Sequence, residues 1–243
     1  MGHPGDAVNA PPGRVRLLKL SLILSTGLVM RSALFMTAWL AFAAASSRES
    51  HAQPTPQTAP SQAVVYGYDL HGQQIIRLAA PGAPAVVLFF LATDCPISNR
   101  YVPEMQRLAK EFGAKHVGVW LVYPNATETV EGVASHEKAY GIDGATLVHP
   151  TASLMVRIHP VVTPEAAVLI PLQSGEDDFS VAYAGRIDDW YVDIGRQRPK
   201  ATRHDLEQAV ADVLSRQTVP PPGGPPVGCG IISEAALKSG EKP

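Results

Sequence analysis

Two stretches of the chain are apolar almost without interruption. Residues 85–91 (AVVLFFL) and 116–123 (HVGVWLVY) lack the polar alternation of a half-exposed strand, the pattern of strands buried on both faces of a sheet. Between them a helical pattern runs through Phe112, with Thr93 or Asp94 placed to cap it and Pro96 tolerated in its first turn. A second helix is expected over 127–140, with Val130, Val133, Ala134 and Tyr140 on one side and Gly141 as its stop. Ahead of the first run, residues 64–70 and 74–78 are β-rich around His71 and Gly72 and predict a hairpin. A short strand over 146–148 and a short helix over 153–158 come next. A β-hairpin of 166–170 and 180–185 around the polar loop 173–179 follows. Residues 202–205 have capping-box spacing for a last helix to Ser215. Strands alternating with helices, then a hairpin and a helix, give an α/β sandwich around a mixed sheet.

The pattern changes at both ends. Residues 17–29 are mostly apolar but contain Lys19, and a second apolar run covers 32–45. Neither reaches the roughly 18 uninterrupted residues of a membrane span. Met30 and Arg31 ahead of the compact run 33–45 read as a secretory signal. Small side chains at Ser50 and Ala52 place cleavage before Gln53, so residues 1–52 form the signal peptide, with Met30 as an alternative start. The rival is an uncleaved, outward-facing anchor over 17–45, in which Arg31 costs a few kcal/mol. Residues 53–63 read as a flexible leader. Residues 219–228 hold five prolines and three glycines, which marks the tail 217–243 as a tether rather than an element. The folded domain is expected over 64–216, in the periplasm or outside the cell.

Composition narrows the function. The 243 residues carry a formal net charge of −2, and without a Lys/Arg run this leaves no footprint for nucleic acid. The 191 residues left after cleavage hold 15 basic and 20 acidic side chains. Two cysteines, Cys95 and Cys229, are too few for a disulfide scaffold or a Cys-type zinc site, but they can pair in an oxidising compartment.

Cys95 follows a buried strand and opens a helix, where free N–H groups and the helix dipole favour a thiolate; a neighbouring negative charge on Asp94 opposes it. The bland alternative is an inert buried thiol. The segment 89–98 (FFLATDCPIS) resembles the active-site segment of thioredoxin-like proteins. Pro103 falls where that family kinks its first helix, and Val162-Thr163-Pro164 resembles its cis-proline loop. The early hairpin and Tyr183–Asp188 resemble the redoxin branch, which includes the alkyl hydroperoxide reductase/thiol-specific antioxidant (AhpC/TSA) proteins. The resemblance implies a thioredoxin-like three-layer sandwich, a reactive Cys95 and a cis bond before Pro164. Thr93, Asp94, Pro96, Ser98, Thr163 and Pro164 would form its environment.

The departures matter equally. Ser98 replaces the second cysteine of C-x-x-C, so exchange within the motif is excluded. Leu88 and Ala92 stand where a peroxiredoxin carries Pro and Thr. Copper-carrying relatives have a cysteine where Asn99 stands, and Cys95 with His159 makes a poor copper site. Cys229, between Gly228 and Gly230, is expected to fold back and resolve oxidised Cys95; a structural, intermolecular or idle tail cysteine is the alternative. Asp188 and Asp189, with nearby aromatics, offer a cation or partner site or ordinary Arg–Asp pairing. Arg100 and Glu104 are expected to tune the thiol. The function expected is that of an exported thiol–disulfide oxidoreductase needing no cofactor or metal, acting on protein or small-molecule thiols and disulfides. A peroxidase and a non-enzymatic partner-binding or copper-delivery module are the alternatives. Membrane contact is expected only through an uncleaved N-terminus.

Overall fold

The computed structural model describes residues 64–172 and 178–240. The expected signal segment, its cleavage point, the leader and most of the loop 173–179 lie outside them.

The chain runs through β1 (Gly67–Tyr68), β2 (Gln74–Ile75), β3 (Val86–Phe90), α1 (Pro96–Gly113), β4 (Gly118–Tyr123), α2 (Val130–Tyr140), β5 (Ala145–Val148) and α3 (Ala152–Ile158). It continues as β6 (Val162–Thr163), β7 (Glu165–Pro171), β8 (Phe179–Gly185), β9 (Tyr191–Asp193), β10 (Arg196–Gln197), α4 (Asp205–Leu214), β11 (Cys229–Gly230) and α5 (Glu234–Ser239). A seven-stranded mixed sheet has the order β2-β1-β5-β4-β3-β7-β8. β3 lies at its heart, parallel to β4 and antiparallel to β7. The expected early hairpin is present as the short β1–β2 pair at the sheet edge.

The continuous apolar run is explained by what covers β3. Val87 and Phe89 face Tyr101, Met105, Leu108 and Phe112 of α1 and Leu206 and Val210 of α4. Val86, Leu88 and Phe90 face the opposite way, onto Leu154 and Ile158 of α3. With both faces covered, alternation has no solvent side to report. Helices on both faces of a mixed sheet complete the three-layer sandwich. No helix among the described residues is long and apolar enough to cross a membrane.

Four local expectations are corrected. The cap of α1 is Cys95 itself, its sulfur accepting from the Ser98 N–H, with Pro96 in the first turn. The buried residues of α2 are Val133 and His136, while Ala134 and Tyr140 are exposed. His136 is tolerated inside because both ring nitrogens have partners. At α4 the cap position belongs to His204 without a side-chain bond, because Thr202 donates its N–H and hydroxyl to Asp189. Finally, the tail is no free tether: β11 pairs antiparallel with β6, Cys229 opposite Thr163 and Gly230 opposite Val162. Prolines without N–H groups cannot continue a ladder, but the Cys229–Ile232 stretch beyond them can.

Candidate active site

After β3 the Leu91 N–H still bonds to Val122 of β4, and the chain then leaves the sheet as Thr93-Asp94-Cys95. This loop is held from two sides. The Thr93 N–H and hydroxyl both donate to the Glu128 carboxylate at 2.9 Å. The Asn99 amide donates to the Thr93 carbonyl at 3.2 Å and its oxygen meets His136 Nε2 at 2.8 Å. His136 Nδ1 in turn lies 3.0 Å from the Tyr123 hydroxyl. Strand β4 and helix α2 thereby fix the loop that aims Cys95. Burial pulls His136 below the ordinary histidine range, consistent with a neutral ring in this relay.

Cys95 has no accessible surface. Its thiol donates to the Thr163 carbonyl at 3.0 Å and accepts from the Ser98 N–H at 3.5 Å. The Thr163–Pro164 peptide is cis, as the family resemblance implied, and Pro164 lines a small recess with Tyr101 and Val227. The hydroxyls of Ser98 and Thr163 are the buried side-chain oxygens without a partner among the described residues. An unpaired buried hydroxyl costs stability, and both belong to residues whose backbone bonds to the sulfur.

The β11–β6 ladder places Cys229 opposite Thr163, whose carbonyl accepts from the Cys95 thiol. Both cysteines are free thiols. Burial pushes the Cys95 thiol up. The Cys229 thiol, then the Ser98 N–H and hydroxyl and the Cys229 N–H, favour the anion more strongly and leave Cys95 below the ordinary cysteine value. Cys229 moves the opposite way: burial, then its bond to Cys95 and the charges of Cys95 and Asp94, push it up to about 12. The two sulfurs therefore have different roles available to them: one ionises readily, the other keeps its proton. Asp94 and Pro96 are exposed, Thr93 is half-buried, and Ser98, Thr163 and Pro164 are buried around the thiol.

Other expected groups face elsewhere. Arg100 donates to Gln197 and Tyr191, and Glu104 pairs with Arg107. Asp188 accepts from the Tyr101 hydroxyl and the Trp190 N–H; Asp189 accepts from Thr202, Arg203 and Arg198. Both carboxylates thus brace the β9–β10 insertion. Ligand atoms of Glu104, Asp188 and His204 lie within 4.8 Å of one another, with Glu104 bound to Arg107 and His204 to Glu207. His159 ends α3 in a left-handed conformation. Glu128 and His136 escaped the sequence reading, and Asn125 stood out there only as the start of an Asn-Ala-Thr glycosylation sequon; single polar residues in a loop or on a helix carry no spacing signal.

The AhpC/TSA family model matches residues 56–156. A hypothetical protein from Sinorhizobium meliloti shares the fold with a TM-score of 0.55 at 23% identity, covering 71% of this chain and 91% of its own. An uncharacterized conserved protein from Geobacillus kaustophilus does so with 0.55 at 19% identity, covering 71% and 90%. No curated protein matches the sequence. The fold is a thioredoxin-like three-layer sandwich around a mixed sheet. The stretch matched by that family model carries Cys95 together with the strand before it and the helix after it.

Proposed function

We propose that this chain is an exported thiol–disulfide oxidoreductase in which Cys95 is the nucleophile and Cys229 the resolving thiol. The observation that carries the reading is the β11–β6 pairing, which sets Cys229 opposite Thr163, the residue whose carbonyl accepts from the Cys95 thiol. Ser98 stands where a second motif cysteine would be, so the resolving sulfur has to come from elsewhere in the chain or from a partner.

The Cys95 thiolate attacks one sulfur of a substrate disulfide; that S–S bond breaks, the other substrate sulfur leaves as a thiolate and is protonated, and Cys95 holds a mixed disulfide. Cys229 then gives up its proton and attacks the Cys95 sulfur, and the remaining substrate sulfur departs and is protonated. The protein now carries a Cys95–Cys229 disulfide, having passed two electrons to the substrate, and an external dithiol restores it by the same steps in reverse. As the Cys95 thiol ionises, the unpartnered Ser98 hydroxyl gains a charged acceptor. Thr93 and Asp94 lead the chain into the site, Pro96 starts the helix behind the sulfur, and Thr163 and Pro164 form the wall opposite it. Export rests on residues 30–52.

Peroxide is the weaker substrate. Leu88 and Ala92 occupy the positions where peroxide-reducing relatives carry Pro and Thr, and the Thr93 hydroxyl is committed to Glu128.

Mass mapping of the oxidised protein tests the pairing, and a Cys95–Cys229 linkage is expected. Cys229→Ser should accumulate mixed disulfides at Cys95, and Cys95→Ser should trap none. Absence of the linkage in monomer and dimer sinks the resolving role. Sulfenic acid formation outpacing attack on disulfides would move the substrate to peroxide.

A further inference from the structure

The strand that delivers Cys229 also shuts the site. It is held on both sides of the opening. On one side Cys229 and Gly230 pair with β6, and the Ile231 N–H donates to the Val161 carbonyl at 3.2 Å. On the other the Ile232 N–H donates to Asn125 Oδ1 and the Ile232 carbonyl accepts from the Ala126 N–H, both at 2.9 Å. Upstream, the Gly223 N–H is fixed on Asp205, whose other oxygen takes Arg186. Val219 and Val227 pack on the main core. Helix α5, beyond the crossing, buries no residue, so the downstream end is the one free to lift.

Beneath this crossing Cys95, Ser98 and Thr163 are all at 0% exposure. In-line attack needs the outside sulfur in contact with Cys95, which this arrangement forbids. The crossing is also tight: a Cβ on Gly228 would fall inside contact distance of the Thr163 carbonyl carbon and oxygen. That carbonyl is the acceptor of the Cys95 thiol.

We propose that residues 219–232 form a gate over Cys95, and that the edge they vacate takes an extended polypeptide segment with glycine directly before its cysteine. This deepens, and rests on, the oxidoreductase reading above. With the gate closed, the chain's own Gly228-Cys229-Gly230 fills the edge as a built-in competitor. When it lifts, the Val161 carbonyl loses the Ile231 N–H and the edge at Thr163 loses its paired strand, groups that need new partners and that an extended strand supplies. The close approach at Gly228 excludes any side chain at that point. Return of the gate after the mixed disulfide forms brings Cys229 back to the Cys95 sulfur and displaces the substrate strand.

The test is the rate at which N-ethylmaleimide modifies Cys95 in the reduced full chain, with each cysteine followed separately by peptide mapping. Gly228→Val should raise that rate by about tenfold or more, since the rate follows the open fraction. Asn125→Ala, which removes only the far latch, should raise it by a smaller factor and serves if Gly228→Val does not fold. A synthetic peptide of residues 224–233 bearing C229S should slow modification of the opened variant, and the same peptide also bearing G228V should not. A wild-type rate equal to that of both variants overturns the gate; equal protection by both peptides overturns the glycine requirement. Accelerated modification without any Cys95–Cys229 disulfide would leave the gate standing and remove the resolving role; the disulfide with unchanged rates would do the reverse.

Discussion

Glu128 offers the sharpest check on how the site is held. Its carboxylate, only 7% exposed, accepts two bonds from Thr93, one from the N–H and one from the hydroxyl, each at 2.9 Å. Glu128→Ala deletes both and leaves the Thr93 N–H without that acceptor. A hydrogen bond to a charged group is worth about 1.5–3 kcal/mol. Thr93 is only half-buried and water can replace part of the loss, so the lower end of the range applies to each bond. The expected destabilisation is therefore about 3 kcal/mol, a factor of about 150 in the unfolding constant. For a chain of this size it corresponds to a Tm lowered by roughly 6–12 °C. Glu128→Gln keeps an acceptor for the N–H and a donor for the hydroxyl oxygen, and should lose less than half as much. Urea unfolding of the three proteins gives the free energies, and the pH profile of Cys95 alkylation in the same samples reports on its placement. An alanine variant within about 0.5 kcal/mol of wild type, the ordinary surface-substitution range, would refute the claim that Glu128 anchors the loop leading into Cys95.

Three further outcomes follow from the same contacts. Burial works against the Asp189 charge, but the Thr202 hydroxyl, the N–H groups of Arg203 and Thr202, and Arg198 hold its carboxyl well below the usual range. Its contribution is full above the unfolded aspartate value of about 3.9 and is lost as pH falls toward the folded one; Asp189→Asn should therefore flatten the acid limb of a stability-versus-pH curve and cost about 2–4 kcal/mol at pH 7, and unchanged acid unfolding would contradict it. Glu165 is the opposite case. Burial raises it above the ordinary value despite bonds from Val161 and Val162, so its favourable share is full below the unfolded value of about 4.3 and is lost as pH rises to the folded one; Glu165→Gln should gain relative to wild type as pH rises from 4 to 8 in denaturant titrations, and a constant difference would refute this. Gly67→Ala puts a Cβ 2.6 Å from Leu147 Cδ2 and 2.9 Å from the Val148 carbonyl, an overpacking cost of about 1–3 kcal/mol that thermal melts will register if β1 is truly pressed against β5.

The elements that sequence made legible are those whose burial is two-sided or strictly periodic. Residues 85–91 and 116–123 announced β3 and β4 because a strand covered on both faces has no polar position to spare. The position of Cys95 was legible for a related reason, since a cysteine between such a strand and a helix has one place to go. Polar residues acting singly were not. His136 sits where periodicity wants an apolar side chain, and only the Tyr123 and Asn99 partners explain it. Asn125 reads as part of an Asn-Ala-Thr sequon, yet its side chain latches Ile232, 107 residues later. Proline and glycine content marked the tail as unstructured, because composition reports a segment's inability to pair within itself and says nothing of an edge elsewhere that it can join. β6 is that edge, and two residues of pairing were enough to seat Cys229.

The consequence for the chemistry lies in how the two sulfurs meet. In a C-x-x-C turn both ride one rigid helix, and their encounter is fixed by backbone geometry. Here the first caps α1 and the second rides a crossing strand, so their effective concentration depends on how often that strand is seated. Beyond the Cys229–Thr163 and Gly230–Val162 pairs, the seating bonds lie on Asp205, Val161, Asn125 and Ala126, none of which is bonded to the Cys95 sulfur. In the proposed cycle the same bonds would set both how readily an outside disulfide enters and how quickly Cys229 returns to expel it, so strengthening them would trade the first rate against the second. A helix-borne pair has no such coupling. Ser98 is then more than a lost cysteine: a thiol at that position would compete with Cys229 for the Cys95 sulfur and release the mixed disulfide with the strand still lifted. Under the proposed function a hydroxyl there would leave resolution to the strand that closes the site, so that product release and closure would be one event.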